Sequence, residues 1–129
     1  MSYKNEIGIA CEAEAFEKIL DAVKENDLTP YSISKNSKDE YLFFWGNTEW
    51  TRKSDYRINN IESVLDTLDR NTSEGFGYCM IRIGEEITDI QVRRNTFRIE
   101  EPLTRKIKKD GFDMEVTYEP QQAIDMEED

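Results

Sequence analysis

The chain has 129 residues, with 28 Asp+Glu against 17 Lys+Arg, no histidine and a formal net charge of -11. That length suits one domain with one core, no apolar run approaches the ~20 residues that span a bilayer, and Met1 to Glu6 lacks the pattern of a signal peptide, so a cytoplasmic protein is expected. So acidic a surface repels nucleic-acid phosphate and anionic lipid, which argues against direct nucleic-acid or membrane binding and for a basic protein partner.

Residues 3–11 place Ile7, Ile9 and Cys11 on one face and Gly8 and Ala10 on the other, the pattern of a strand approached from both sides. From Ala13 to Asn26, Phe16, Ile19, Leu20 and Val23 recur at amphipathic helical spacing. Glu12, Glu14 and Glu17 crowd its first turns, where the helix dipole favours negative charge, and Asn26-Asp27 before Pro30 ends it. Tyr31 and Ile33 alternate with serines up to a polar turn, Lys35 to Glu40, which predicts a hairpin with the apolar run Tyr41 to Trp45. Gly46-Asn47 reads as a bend or bulge, with Glu49, Trp50 and Thr51 extending the strand beyond it.

A second helix is expected from an N-cap at Asn59 or Asn60, with Ile61, Val64, Leu65 and Leu68 facing the core and Glu62, Asp66 and Asp69 facing outward. Tyr78 to Ile83 is the next strand. Ile87, Ile90 and Val92 begin another, Thr96 to Ile99 form a further piece, and Phe112, Met114, Val116 and Tyr118 alternate as a last strand, so a hairpin appended to the sheet edge is expected. The domain is placed at 1–118, with a core at 3–84, an extension at 85–118 and a flexible acidic tail at 119–129.

A β-α-β-β-α-β order within 84 residues predicts an α+β, ferredoxin-like arrangement with an antiparallel sheet and a C-terminal β extension. The first strand would lie between the third and the fourth, bringing Cys11 near Cys79. Both cysteines sit in apolar strands and read as buried, reduced hydrophobes.

Chemistry is sparse. Without histidine, the commonest general base and zinc ligand are missing, and no glycine spacing fits a phosphate loop. No enzyme, cofactor or metal is expected; Glu85-Glu86-Asp89 reads as a solvated turn. Tyr41, Phe43, Phe44, Trp45, Trp50 and Tyr56 form the other notable cluster. Strand alternation separates Phe43 and Trp45 from Leu42 and Phe44, so a second sheet face needs a cover: the C-terminal hairpin, a protein partner or stacked bases.

Seven of the 17 basic residues fall between Arg93 and Lys109, opposed there only by Glu100 and Glu101. They either pair internally, with the acidic tail and the first helix, or offer a site for a small anion through Arg82, Arg93, Arg94 and Arg98.

The phrases Phe43-Phe44-Trp45 through Trp50, and Met80-Ile81-Arg82-Ile83-Gly84-Glu85-Glu86 with Asp89-Ile90, resemble small uncharacterised acidic proteins of phages and other mobile elements in Gram-positive bacteria, over residues 3–92. The resemblance implies a context of binding and blocking host proteins and carries over no residue role. The leading expectation is a non-enzymatic inhibitor that occludes a basic surface on a host nucleic-acid-handling protein, such as a nuclease, or a defence protein, by imitating the charge of DNA. Its partner-binding residues would be Glu12, Glu14, Glu17, Asp21, Glu85, Glu86 and Asp89, with Trp45 or Trp50 as anchor. The alternatives are an immunity protein against a nuclease toxin and a sponge or sensor for a nucleotide-like anion.

Overall fold

The computed structural model describes residues 5–71, 73–84, 89–95, 106–109 and 112–115, the last two segments as backbone only. The described elements are β1 (Asn5–Cys11), α1 (Ala13–Glu25), β2 (Ser32–Lys35), β3 (Tyr41–Thr48), α2 (Tyr56–Asp69), β4 (Tyr78–Ile83), β5 (Ile90–Arg94), β6 (Lys106–Lys109) and β7 (Phe112–Glu115). The fold is α+β: a five-stranded antiparallel sheet in the order β2-β3-β1-β4-β5 with two helices, and a separate two-stranded β6-β7 sheet. Helix, strand and hairpin positions follow the sequence periodicity closely through residue 84. Residues 85–88, 96–105 and 116–129, which include the expected strand piece at Thr96–Ile99 and the acidic tail, lie outside the described residues.

The register sorts side chains onto two faces. Ile7, Ile9 and Cys11 pair with Trp45, Phe43 and Tyr41 on one side and with Arg82, Met80 and Tyr78 on the other. This face packs on Ala15, Phe16, Ile19, Ala22 and Val23 of α1 and Ile58, Ile61, Leu65 and Leu68 of α2 to form the main core. Aromatic rings run through it: Phe16 stacks on Tyr41 and Phe43 at 4.0 and 5.2 Å, and Phe43 stacks on Trp45 at 5.9 Å. Each large side chain buried here contributes about 1.5–3 kcal/mol.

Cys11 pairs with Tyr78, and Cys79 with Ala10, so the two cysteines are near in register but on opposite faces. Both are buried, and neither is in a disulfide. Burial, reinforced by the neighbouring Glu12 carboxylate, raises the Cys11 thiol well above its ordinary pKa.

Local chemistry fixes the ends of the helices. At the end of α1, Asp27 takes φ 52°, its N–H donates to Lys24 O, and the Leu28 N–H returns to Val23 O. That is a Schellman closure with a buried apolar residue behind it. At its start, Glu12 makes no side-chain cap. Instead the Gly75 carbonyl accepts from the N–H groups of Glu14 and Ala15, both at 3.0 Å, while Glu12 and Gly77 exchange two further bonds. The loop before β4 therefore satisfies donors that would otherwise face water or an anion.

Three expectations are corrected here. α2 begins at Tyr56, capped by Asp55, whose carboxylate accepts from the Arg57 N–H at 3.0 Å, so Asn59 and Asn60 lie within the helix. The bulge is present, with Asn47 at φ 55° and a register shift opposite Asn5–Ile7, but β3 stops at Thr48 and Trp50 turns inward rather than extending the strand. Finally, the appended edge strand is β5 on β4, whereas β6 and β7 pair only with each other among the described residues.

Candidate functional site

Two charged regions dominate the described surface. The first is an acidic face on α1 and the loops beside its N-terminus. The helical spacing that buries Phe16, Ile19 and Val23 turns Glu14, Glu17, Asp21 and Glu25 outward, and all four are exposed. Lys18 and Lys24 share this surface, but Lys18 lies over the Phe76 ring at 5.9 Å. At the N-terminal end, Glu12, Asp39, Glu40 and Glu74 with Lys38 line an open depression of about 330 Å³, floored by Ala13 and Gly75.

The turn that brings Asp39 and Glu40 here is held by Asn36. Its Oδ1 accepts from the N–H groups of Lys38 and Glu40 at 2.9 and 3.0 Å, and its Nδ2 donates to the Glu40 carboxylate at 2.9 Å. Asp39, at φ 60°, pairs with Lys35 at 3.1 Å. That hydrogen bond raises the exposed lysine above its ordinary pKa. The depression is thus a rim of four carboxylates on a structured hairpin and a capped helix end.

The second region is a cage around Arg93. Its guanidinium donates to Glu62 at 3.1 Å, to Asp69 at 3.0 Å, to Tyr78 Oη at 2.9 Å and to Asp66. Glu62, Asp66 and Asp69 are spaced four and three apart on one face of α2, so a single arginine from β5 reaches all three. Arg52 closes the other side, donating to Asp66 at 2.7 Å and to Asn59 at 2.8 Å.

Burial lowers the pKa of Arg93, but the hydrogen bonds to Asp69 and Asp66 outweigh it and hold the group above its ordinary value. The bond from Arg52, followed by that from Arg93, holds the Asp66 carboxyl below the usual range. Burial and the bond to Asp69 at 2.6 Å push the Tyr78 phenol well up. Glu62 also accepts from Trp50 Nε1 at 2.8 Å, which makes a nearly buried carboxylate tolerable.

The sequence-predicted site residues are therefore divided. Glu14, Glu17 and Asp21 stand together on the exposed α1 face, with Glu12 at its end. Asp89 is not on that face; it accepts a two-point contact from Arg82 at 2.7 and 3.2 Å, and Arg82 also binds Asn5 and Gln91. Glu85, Glu86 and Arg98 lie outside the described residues.

Trp45 and Trp50 are corrected as anchors: they are 2% and 5% exposed, and their indole N–H groups donate to Leu28 O and Glu62. The exposed large aromatics among the described residues are Tyr31 and Tyr56. Arg82 and Arg93 are likewise corrected as anion sites, because carboxylates of the chain already occupy their donors. Their partners come from α2 and Asp89, not from the first helix. Arg94 sits on β5 opposite Cys79, on the other sheet face.

Sequence reading missed the Arg93 cage and the Asp39–Glu40–Glu74 rim. The acid stripe at positions 62, 66 and 69 is visible in the sequence, yet it reads as outward-facing because carboxylates are seldom buried without a partner. The rim joins segments distant in sequence and left no local signal.

Among the described residues no group of three or more Cys, Asp or Glu is arranged to hold a metal ion, and no helix is long and apolar enough to cross a membrane. The chain matches no protein-family model, no curated protein and no solved structure.

Proposed function

We propose that the chain is a non-enzymatic binding protein that occludes a basic surface on a host nucleic-acid-handling or defence protein, in the manner of the phage proteins it resembles. The observation carrying this reading is the exposed acid stripe Glu14–Glu17–Asp21, continuous with the rim of Glu12, Asp39, Glu40 and Glu74. Arg52, Arg82 and Arg93, which would otherwise weaken the negative field, are committed to carboxylates elsewhere. A stiff helix holding like charges at fixed spacing attracts a cationic groove at long range and excludes its nucleic acid on contact.

We read β1 through β4 with the two helices as a ferredoxin-like split β-α-β unit carrying β5 on the β4 edge; the observed strand order supports this. An immunity role against a nuclease toxin uses the same surface with another partner. The nucleotide-sponge reading is weakened by the engagement of Arg82 and Arg93.

The test is a pull-down from host-bacterium lysate with the full chain, beside a Glu14→Lys, Glu17→Lys, Asp21→Lys triple variant. The expected result is a basic nucleic-acid-handling protein that elutes as salt rises from about 0.05 to 0.5 M, since screening shortens the field from beyond about 10 Å to a few Å. It should lose its nucleic acid when the chain is added, and the triple variant should not retain it. Capture indifferent to salt and to the triple variant would sink the reading.

A further inference from the structure

We propose that the β6–β7 hairpin packs across the second face of the five-stranded sheet as an intramolecular third layer. Both helices occupy the first face, with Ile7, Ile9, Phe43, Trp45 and Met80 beneath them. The opposite face carries Ala10, Leu42 and Cys79 in one cluster and Ile81 and Ile83 in another, with Phe44 and Ile90 against the latter. An uncovered sheet face would leave these side chains in water. Instead Cys79 is 0%, Ile83 1% and Ile81 2% exposed, and only towards the β5 edge is a residue of this face, Val92, open to solvent among the described apolar ones. This burial exists within a single chain, so the cover belongs to the same molecule.

The hairpin has the right pattern for the task. Its register sets Ile107 opposite Met114 and Lys109 opposite Phe112, so Ile107, Phe112 and Met114 share one face, with Lys109 at its end. Lys106, Lys108, Asp113 and Glu115 share the other. A lone two-stranded hairpin is marginal in water and needs an apolar surface to pack on. Ser34, on the same second face, is 1% exposed as well.

The connection is long enough. Residues 96–105 link β5 to β6 and reach at most about 33 Å, whereas five strands span only about 19 Å across the sheet. The layer closes the aromatic side of Phe44 to stacked bases. It leaves the acidic α1 face, on the opposite side of the sheet, untouched.

The two cysteines report on this directly, since Cys79 lies on the second face and Cys11 on the first. In the full chain, Ile107→Asp and Met114→Asp should each raise alkylation of Cys79 about tenfold or more by opening the layer locally, with Cys11 unchanged and circular dichroism preserved. Asp113→Lys, on the outer face, should leave both thiols at the wild-type rate. Cys79 labelling at the wild-type rate in both apolar-face variants overturns the proposal.

Should those variants unfold, labelling both cysteines together, p-benzoylphenylalanine in place of Phe112 decides the matter. Crosslinks into peptides containing Leu42–Phe44 or Cys79–Ile83 support the layer. Crosslinks confined to α1 or α2, or formed between copies, overturn it.

Discussion

Replacing Arg93 with methionine tests whether charge compensation holds β5 and α2 together. Methionine keeps much of the aliphatic stem but removes four donor contacts, leaving Glu62, Asp66 and Asp69 facing a site with Arg52 as the nearest cation. Removing one partner of a buried ion cluster costs about 3–5 kcal/mol. Here Asp66 and Asp69 are 37% and 40% exposed, so water replaces much of their share, whereas Glu62 at 11% has little such relief. About 2–3 kcal/mol is the resulting expectation at pH 7.

Urea unfolding followed by tryptophan fluorescence reads this as a midpoint lowered by roughly 1–2 M. Arg93→Lys should fall between, keeping the charge but losing the fork that reaches several carboxylates at once. The pH dependence has a definite sign. Asp66 has a depressed folded pKa, so its contribution is present above the unfolded value of 3.8 and is lost as pH falls through the folded one. Arg93 supplies part of that depression, so the gap between wild type and Arg93→Met should narrow as pH drops from 5 towards about 2.5. A midpoint difference below about 0.3 M at pH 7, or a gap that stays constant across this range, would refute compensation as the cause.

Three other outcomes follow from single contacts. Gly75→Ala should cost about 1–3 kcal/mol and lower Tm by several degrees, because φ 92° strains an L residue and the new Cβ would meet Glu14 Cγ at 2.6 Å. Trp50→Phe removes the donor to Glu62 and should cost about 1–2 kcal/mol by urea titration, with the hydrogen-bond share of the loss absent when Glu62→Met, which has no carboxylate to accept, is already in place. Cys11, with its thiol raised by burial and by Glu12, should resist iodoacetamide at pH 8 until urea unfolds the chain; prompt labelling in buffer would contradict its placement under α1.

The legible part of the chain was that in which one periodicity dominates. Ile7-Ile9-Cys11 and Phe43-Trp45 announce strands because apolar residues alternate, and Phe16-Ile19-Val23 announces a helix because they recur every three or four. The start of α2 was illegible because Tyr56-Arg57-Ile58 mixes an exposed aromatic, a cation and one core residue, and the cap Asp55 looks like any other loop acid. Trp50 failed for a similar reason: a tryptophan after an apolar strand reads as more strand, and only the bulge at Asn47 turns it towards Glu62.

The site shows the same division at the level of charge. Local rules identify the stripe Glu14–Glu17–Asp21, because three acids within two turns of an amphipathic helix must share its solvent side. They do not tell which cations are spent. Arg93 and Glu62 are 31 residues apart, and their pairing is decided by the order of strands β4 and β5 against α2. A net charge of -11 therefore understates how one-sided the field is. Arg82 and Arg93 are spent on acids of the chain itself, and the acids left exposed on α1 are the ones a partner meets first.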